Sequence, residues 1–166
     1  SIGITSAAPG AGKSFTSTNL AAVAAQAGQK VCLIDGDLRR AQIWKYFGRT
    51  KRDVGLSEYL AGEATLDEVL YETEIENLFV ITSGRLPPNP SELLMRRSFK
   101  EMSDELDKTF DLTIVDCPPT LAVTDPVIIS KSVGTTIMVV RFDETALPEV
   151  RAVQQAFQTA GIRLAG

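Results

Sequence analysis

"SIGITSAAPGAGKSFTSTNLAAVAAQAG" (residues 1–28) runs from a short apolar stretch through a glycine-bearing loop into an alanine-rich segment. How its middle is read, "AAPGAGKS" (residues 7–14), decides the fold. Between a strand and a helix, such a loop is a P-loop. Gly10 and Gly12 let backbone N–H groups turn inward around phosphate oxygens, and the positive end of the following helix reinforces them. Lys13 is placed to reach the β- and γ-phosphates, and the Ser14 hydroxyl to ligate Mg²⁺. Pro9, Gly10, Ala11, Gly12, Lys13, Ser14 and the adjoining Phe15 form the candidate nucleotide-binding set, with ATP or ADP and Mg²⁺ as ligands. Ala7 stands where the common pattern has glycine. A strand–helix turn without ligand is the plainer alternative, and "GKS" in this setting weighs against it.

Further runs of strand length follow: "VCLI" (31–34), "LFVIT" (78–82), "LTIV" (112–115) and "TTIMVV" (135–140), in addition to "SIGIT" (1–5). Most are continuously hydrophobic, the pattern of parallel strands covered on both faces. Helical patterns separate them. "SFTSTNLAAVAAQAGQ" (14–29) has Gly28 as its C-cap, and "SELLMRRSFKEMSDELDK" (91–108) has Ser91 as its N-cap after Pro90. "TDPVIISKS" (124–132) and "TALPEVRAVQQAFQTAG" (145–161) complete the set, the latter with Thr145 as N-cap and Pro148 in the first turn. This alternation predicts an α/β fold, a doubly wound and mainly parallel sheet with right-handed crossovers. Ligands of such sheets bind at the carboxyl ends of the strands. No repeat or linker interrupts the pattern, so residues 1–166 read as a single domain. "GIRLAG" (161–166) reads as the beginning of another strand, and the domain is expected to be trimmed at both ends.

"VCLIDGDLRR" (31–40) drives an apolar strand directly into two carboxylates and two arginines. Asp35 ends that strand, Asp37 follows closely, and Asp116 ends another on the same rim. Three aspartates together repel one another and favour protonation unless a cation sits among them. Mg²⁺ with nucleotide phosphates supplies one. Asp116 then reads as the Walker B metal ligand, acting through water, with Ser14 and Asp37 completing the metal set. Ser14 and Asp116 suffice for a P-loop protein that needs only metal. A further carboxylate near the γ-phosphate points to activation of an incoming hydroxyl or water. Asp35 is the candidate base, and Lys13, Asp35 and Asp37 form the catalytic set. Spacing alone leaves open whether Asp35 or Asp37 is the base, whether Asp37 only caps the next turn, and whether Arg39 meets these aspartates or phosphate.

Composition removes several function classes. With 17 Lys and Arg against 21 Asp and Glu, the formal charge is −4, which argues against nucleic acid as a partner. The absence of histidine excludes His-based triads and removes a common zinc ligand. Cys32 and Cys117 lie in or beside strand runs and read as small buried hydrophobes of a reducing compartment. No apolar run approaches the roughly 18 residues that a membrane span requires.

The P-loop, "LIDGDLRR" (33–40), "GLSEYL" (55–60), "PPNPSELL" (87–94) and "VDCPPTLAVTDPVI" (115–128) together, in this order, resemble the bacterial tyrosine kinases. These are the cytoplasmic kinase domains of the polysaccharide co-polymerases that control capsule and exopolysaccharide export. "GKSF", with Phe15 after the serine, fits the same family. The resemblance implies a fold related to the ParA/MinD ATPases and an ATP-dependent tyrosine autophosphorylation between copies of the protein. By motif it assigns Lys13 and Ser14 to Walker A, Asp35 and Asp37 to Walker A′, and Asp116 to Walker B. It further implies self-association, a membrane-spanning activator segment or subunit of the bacterial inner membrane, and a cognate tyrosine phosphatase. Partition ATPases would carry a signature lysine at the position of Ala8, which favours the kinase branch.

The chain also departs from the family. A C-terminal tyrosine cluster is absent from these residues, whose tyrosines are Tyr46, Tyr59 and Tyr71. Gln42 stands near the place of an internal regulatory tyrosine, and the charged self-association motif would precede residue 1. A ParA/MinD-like ATPase with water as nucleophile, and a nucleotide-dependent assembly module without turnover, are the competing readings.

Three weaker features remain. "RRAQIWKYFGRTKR" (39–52) contains Arg39, Arg40, Lys45, Arg49, Lys51 and Arg52 before the first acid, Asp53. It reads as a solvated edge or as a docking surface for an acidic tail or a neighbouring subunit. "RLPPNPSE" (85–92) is a stiff connection that leads into a helix or borders the active site. Arg141 either forms a surface ion pair or approaches the nucleotide base.

Overall fold

In the computed structural model, residues 1–50 and 53–166 are described. The chain order is β1 (Ile2–Ser6), α1 (Lys13–Gln26), β2 (Val31–Asp35), a 3₁₀ turn (Ile43–Tyr46), α2 (Leu56–Ala61), α3 (Leu66–Val69), β3 (Tyr71–Glu72), β4 (Leu78–Ile81), α4 (Pro90–Leu94), α5 (Arg97–Thr109), β5 (Leu112–Asp116), α6 (Asp125–Ser130), β6 (Thr135–Val139) and α7 (Leu147–Thr159). The strands form one six-stranded sheet in the order β3-β4-β2-β5-β1-β6. Every pairing is parallel except β3 with β4. The expected α/β sheet is therefore present, with a short antiparallel edge strand added.

The apolar runs are continuous because each face of the sheet has its own core. In β2, Cys32 and Ile34 pack with Leu56, Leu60, Phe99, Met102 and Leu106 from α2 and α5. Val31 and Leu33 point the other way, among Ile4, Ala21, Ala25 and Ile114. The twofold alternation of the strand persists, but both faces are apolar. Cys32 and Cys117 are free and buried, and burial pushes both thiols far above their ordinary range. Against the sheet α1 places only small side chains, Ser17, Ala21 and Ala25, so the helix sits close to the strand tips.

Three expected helix boundaries move. The 91–108 helix splits into α4 and α5, with Arg96 extended between them and its Nη1 donating to the Leu60 carbonyl at 3.0 Å. The N-cap of α4 is Asn89, not Ser91, because Pro90 lacks an N–H and occupies the first helical position. Ala146, not Thr145, caps α7: its N–H donates to Glu149 Oε2 at 2.9 Å, and the Thr145 hydroxyl accepts from Arg141 N. The predicted C-terminus of α1 holds, with Gly28 at φ 90° just beyond it. "GIRLAG" does begin to pair, through a parallel bridge of Leu164 with Thr136.

The segment leading into α2 lies directly against the chain after β4. Leu56 N and Ser57 N donate to the carbonyls of Thr82 and Ser83 at 2.8 and 3.0 Å. A Cβ on Gly55 would lie 2.3 Å from both Gly84 N and Thr82 O. Backbone on both sides leaves no room to yield, so Gly55→Ala is expected to lower unfolding free energy by about 3 kcal/mol, measured from urea midpoints.

Candidate functional site

The P-loop occupies the rim where β1, β2 and β5 end. Gly10 and Gly12 have φ of 88° and 93°, a region that a side chain would strain. Gly12 caps α1 without any side-chain acceptor, and the first turn carries no acidic residue. The N–H groups of a 14-residue helix are thus directed at the cleft. Pro9, Gly10, Gly12, Lys13, Ser14 and Phe15 line that cleft, of about 350 Å³, together with Asp37, Arg40, Gln42, Tyr46 and Pro119. Ala11 belongs to the same loop but not to the lining.

Strand register brings the carboxylates together. Asp35 of β2 is the direct parallel partner of Asp116 of β5, and Ile4 of β1 pairs with Asp116 on the other side. Asp116 Oδ2 accepts from Ser14 Oγ at 2.6 Å, and its Oδ1 lies 3.1 Å from Ser17 Oγ. Ser17 Oγ is also 2.8 Å from the Lys13 carbonyl, so its single proton serves one acceptor at a time. Lys13 Nζ stands 3.6 Å from Asp37 Oδ2 and 3.8 Å from Asp116 Oδ2.

The Walker A′ pair divides into a buried and a facing carboxylate. Asp35 is fully buried; its Oδ2 accepts from the amides of Gln42 and Ile43 at 3.1 and 3.0 Å, and its Oδ1 from Asp37 N at 3.3 Å. Asp37 Oδ1 accepts from the amides of Arg39 and Arg40 at 3.1 and 2.9 Å, which does cap the turn, while Oδ2 faces Lys13. Burial, then the charge of Asp116, with Asp37 adding, push the Asp35 carboxyl up to about 7 against the two amide hydrogen bonds. Burial also holds Asp116 above the usual carboxylate range despite Lys13 and the two serine hydroxyls.

The donor set fits Mg²⁺ bound with a nucleotide. Its hard oxygen donors are the Ser14 hydroxyl and the carboxylates of Asp37 and Asp116, and the Lys13 ammonium already bridges the two carboxylates. Among the described residues no group of three acidic or cysteine side chains could hold a metal by itself. Phosphate oxygens and water must complete such a shell, as Mg²⁺ sites commonly arrange.

Arg39 touches neither these aspartates nor the phosphate cradle through its side chain. Its Nε and Nη2 reach Asp125 Oδ2 and Oδ1 at 2.7 and 3.3 Å, and Nη2 also donates to Ser91 Oγ at 3.0 Å. Ser91 Oγ in turn donates to Asp125 Oδ1 at 2.6 Å. The hydrogen bond to Asp125 holds the guanidinium above its ordinary pKa. One cluster thereby joins "LIDGDLRR", "PPNPSELL" and "TDPVI". Arg141 pairs with Glu144 at 3.1 Å, and its Nη1 reaches the Gly10 carbonyl at 3.4 Å. Of the basic run, Arg49 pairs with Asp53 at 3.0 Å, and Lys51 and Arg52 lie outside the described residues. Sequence reasoning missed Ser17, Ser91 and Asp125. Only Ser17 had a legible signal, one helical turn beyond Ser14 and toward the sheet.

Residues 1–160 match a family model described as an AAA domain. The chain is 42% identical over 165 residues to the tyrosine-protein kinase Ptk of Acinetobacter johnsonii, covering 99% of this chain and 22% of that protein. It thus spans about a fifth of the length of the curated relatives it matches. The kinase domain of Escherichia coli tyrosine kinase Etk superposes with a TM-score of 0.96 at 44% identity, over 99% of this chain and 64% of that one. MinD of Pyrococcus horikoshii, solved with Mg-ADP, superposes with a TM-score of 0.83 at 27% identity, over 99% of this chain and 67% of that one.

Two stability measurements check this geometry. Arg39→Ala leaves the fully buried Asp125 carboxylate with Ser91 alone; the arginine is partly solvent-screened, so a loss of about 2 kcal/mol is expected, read from urea midpoints. With metal chelated, the native state holds its proton on Asp35 up to about 7, whereas an unfolded aspartate loses it near 4. The native state therefore binds more protons in that window, and Asp35 removes stability as pH rises through it. Asp35→Asn is expected to gain stability relative to the parent from about pH 4 to 7 and to level off above.

Proposed function

Because the chain belongs to the AAA-domain family, in its bacterial tyrosine-kinase branch, we propose that it transfers the γ-phosphoryl group of ATP to a tyrosine hydroxyl. The observation that carries this reading is the convergence of Lys13, Asp37 and Asp116 beneath the uncapped start of α1, with Asp35 in register behind them. Mg²⁺ bound with ATP would neutralise charge on the β- and γ-phosphates. The N–H groups of the loop hold the phosphates, and Lys13 exchanges its two carboxylate partners for phosphate oxygens. Ser14 and Asp116 would hold the metal, with Asp37 supporting its shell. Asp35 takes the tyrosine proton; its raised proton affinity suits that task near neutral pH. Its Oδ2 stays held by the Gln42 and Ile43 amides, and its Oδ1, which accepts only from Asp37 N, keeps a lone pair for that proton.

The wider setting belongs to the same proposal. The acceptor tyrosine lies on another copy, and the full protein works at the cytoplasmic face of a bacterial inner membrane in capsule or exopolysaccharide export. A membrane-spanning activator and a tyrosine phosphatase are its partners. Among the described residues no helix is long and apolar enough to cross a membrane. The ATPase reading uses the same cradle with water as nucleophile, and Ala8 weighs against it.

Radiolabelled ATP with a tyrosine-rich peptide tests the proposal. Phosphotyrosine is expected, and Lys13→Met should lower its rate by about a hundredfold or more. Asp35→Asn should fall comparably, whereas a rate equal to the parent would move the role of base to Asp37. Phosphate release with no phosphotyrosine would establish the ATPase reading instead.

A further inference from the structure

Beyond Asp37 the nucleotide cleft does not close. Arg40 and Gln42 line both it and a second cleft of about 620 Å³. Arg39, Arg40 and Lys45 wall that cleft on one side, and Gly84, Arg85 and Leu86 on the other. Four of its lining residues are cations and none is acidic, in a chain whose formal charge is −4. Two of the four are compensated: Arg39 by Asp125 at 2.7 Å, and Arg85 by Glu58 and Glu63 at 2.9 and 2.8 Å. Arg40 and Lys45 have no acidic partner among the described residues. Lys45 Nζ donates to Gln42 Oε1 at 3.0 Å and lies 5.7 Å from the Trp44 ring centre.

The walls are built rather than loose. The Arg39–Asp125–Ser91 cluster ties the loop after β2 to α4 and α6. Glu58, nearly buried, accepts from Gly55 N, Arg85 N and Arg85 Nε at 2.9, 3.1 and 2.9 Å, which fixes the turn after β4. Two hydrogen-bonded edges therefore flank two uncompensated cations, and the half-exposed Leu86 gives one wall an apolar patch.

We propose that this second cleft seats the residues flanking the acceptor tyrosine and selects acceptors whose flanks carry carboxylates, with Arg40 and Lys45 as the specificity-determining cations. The proposal rests on the phosphoryl-transfer reading. In-line displacement brings the nucleophile to the side of the γ-phosphate opposite the leaving group. The P-loop fills one side, and the 37–42 loop borders the other. An acceptor hydroxyl that reaches the Asp35–Asp37 rim from that side therefore carries its neighbouring residues across Arg40 and Lys45. Their charges are partly exposed, so the selection is salt-sensitive and acts on encounter and binding of the acceptor.

Fluorescence anisotropy on the 166-residue chain with MgADP tests this without turnover. The labelled peptides carry phenylalanine in place of the acceptor tyrosine, flanked by glutamates, by glutamines or by phosphotyrosines. The glutamate peptide is expected to bind about tenfold tighter than the glutamine peptide at low salt, and about equally near 1 M salt. Lys45→Glu and, separately, Arg40→Gln should each shrink that ratio severalfold. Lys45 is exposed and lies outside the nucleotide cleft, so its variant tests charge even where Arg40→Gln disturbs the loop. Equal affinity for the two peptides, or a glutamate preference that survives both substitutions, overturns the proposal. A preference confined to the phosphotyrosine peptide overturns the carboxylate assignment. Failure of the phosphoryl-transfer reading is separate and is read with MgATP and the tyrosine forms of the same peptides: none of them acquires phosphate, whatever the binding ratio.

Discussion

The site depends on one electrostatic constraint: Asp35 and Asp116 are register partners on adjacent strands, buried on the rim, and Asp37 adds a third carboxylate that shares the Lys13 ammonium with Asp116. Without compensation this arrangement is unfavourable, as the raised proton affinities of Asp35 and Asp116 express. Each compensating element comes from a different part of the fold. Lys13 and Ser14 come from the start of α1, Ser17 from its second turn, and the Gln42 and Ile43 amides from the start of the 3₁₀ turn. A divalent cation with phosphates would relieve the same repulsion more fully than one lysine can. The stored cost is therefore a bias toward the liganded site.

The sheet makes this geometry possible because parallel strands end together. β1, β2 and β5 are central and buried on both faces, so their tips cannot shift without disturbing two cores. The small face of α1 brings Lys13 and Ser14 onto the Asp116 carboxylate; a leucine at Ala21 or Ala25 would lift the helix away from the strand tips. Packing thus sets the site to within hydrogen-bonding distance before any ligand takes part.

What could be read in the residues follows from how local each signal is. The five parallel strands were legible since burial on both faces makes them uniformly apolar, and the P-loop since strand, glycine turn and helix are contiguous. That Asp35 and Asp116 meet followed from rim logic, though the one-to-one register is a property of the assembled sheet. α2, α3 and β3 escaped notice because two to six residues carry too little periodicity to register. The cap shifts have a chemical origin: a proline that needs no cap partner displaced Ser91, and a backbone amide claimed Thr145. The Arg39–Asp125 pair spans 86 positions, and no spacing rule could have linked its members.

That pair changes the meaning of the basic run after Walker A′. As sequence, residues 39–52 look like one positive surface; among the described residues Arg39 and Arg49 pair with carboxylates, and Arg40 and Lys45 line the open cleft with no ion pair. The distinction bears on how a cradle shared with ATP-hydrolysing relatives can serve a larger nucleophile. Water needs no room beyond the γ-phosphate, whereas a tyrosine side chain arrives attached to a peptide that must lie somewhere. A cleft continuous with the phosphate cradle, bordered by Glu58–Arg85 on one edge and Arg39–Asp125 on the other, would supply that room. In the proposed transfer the two ion pairs would hold apart the walls between which an acceptor enters.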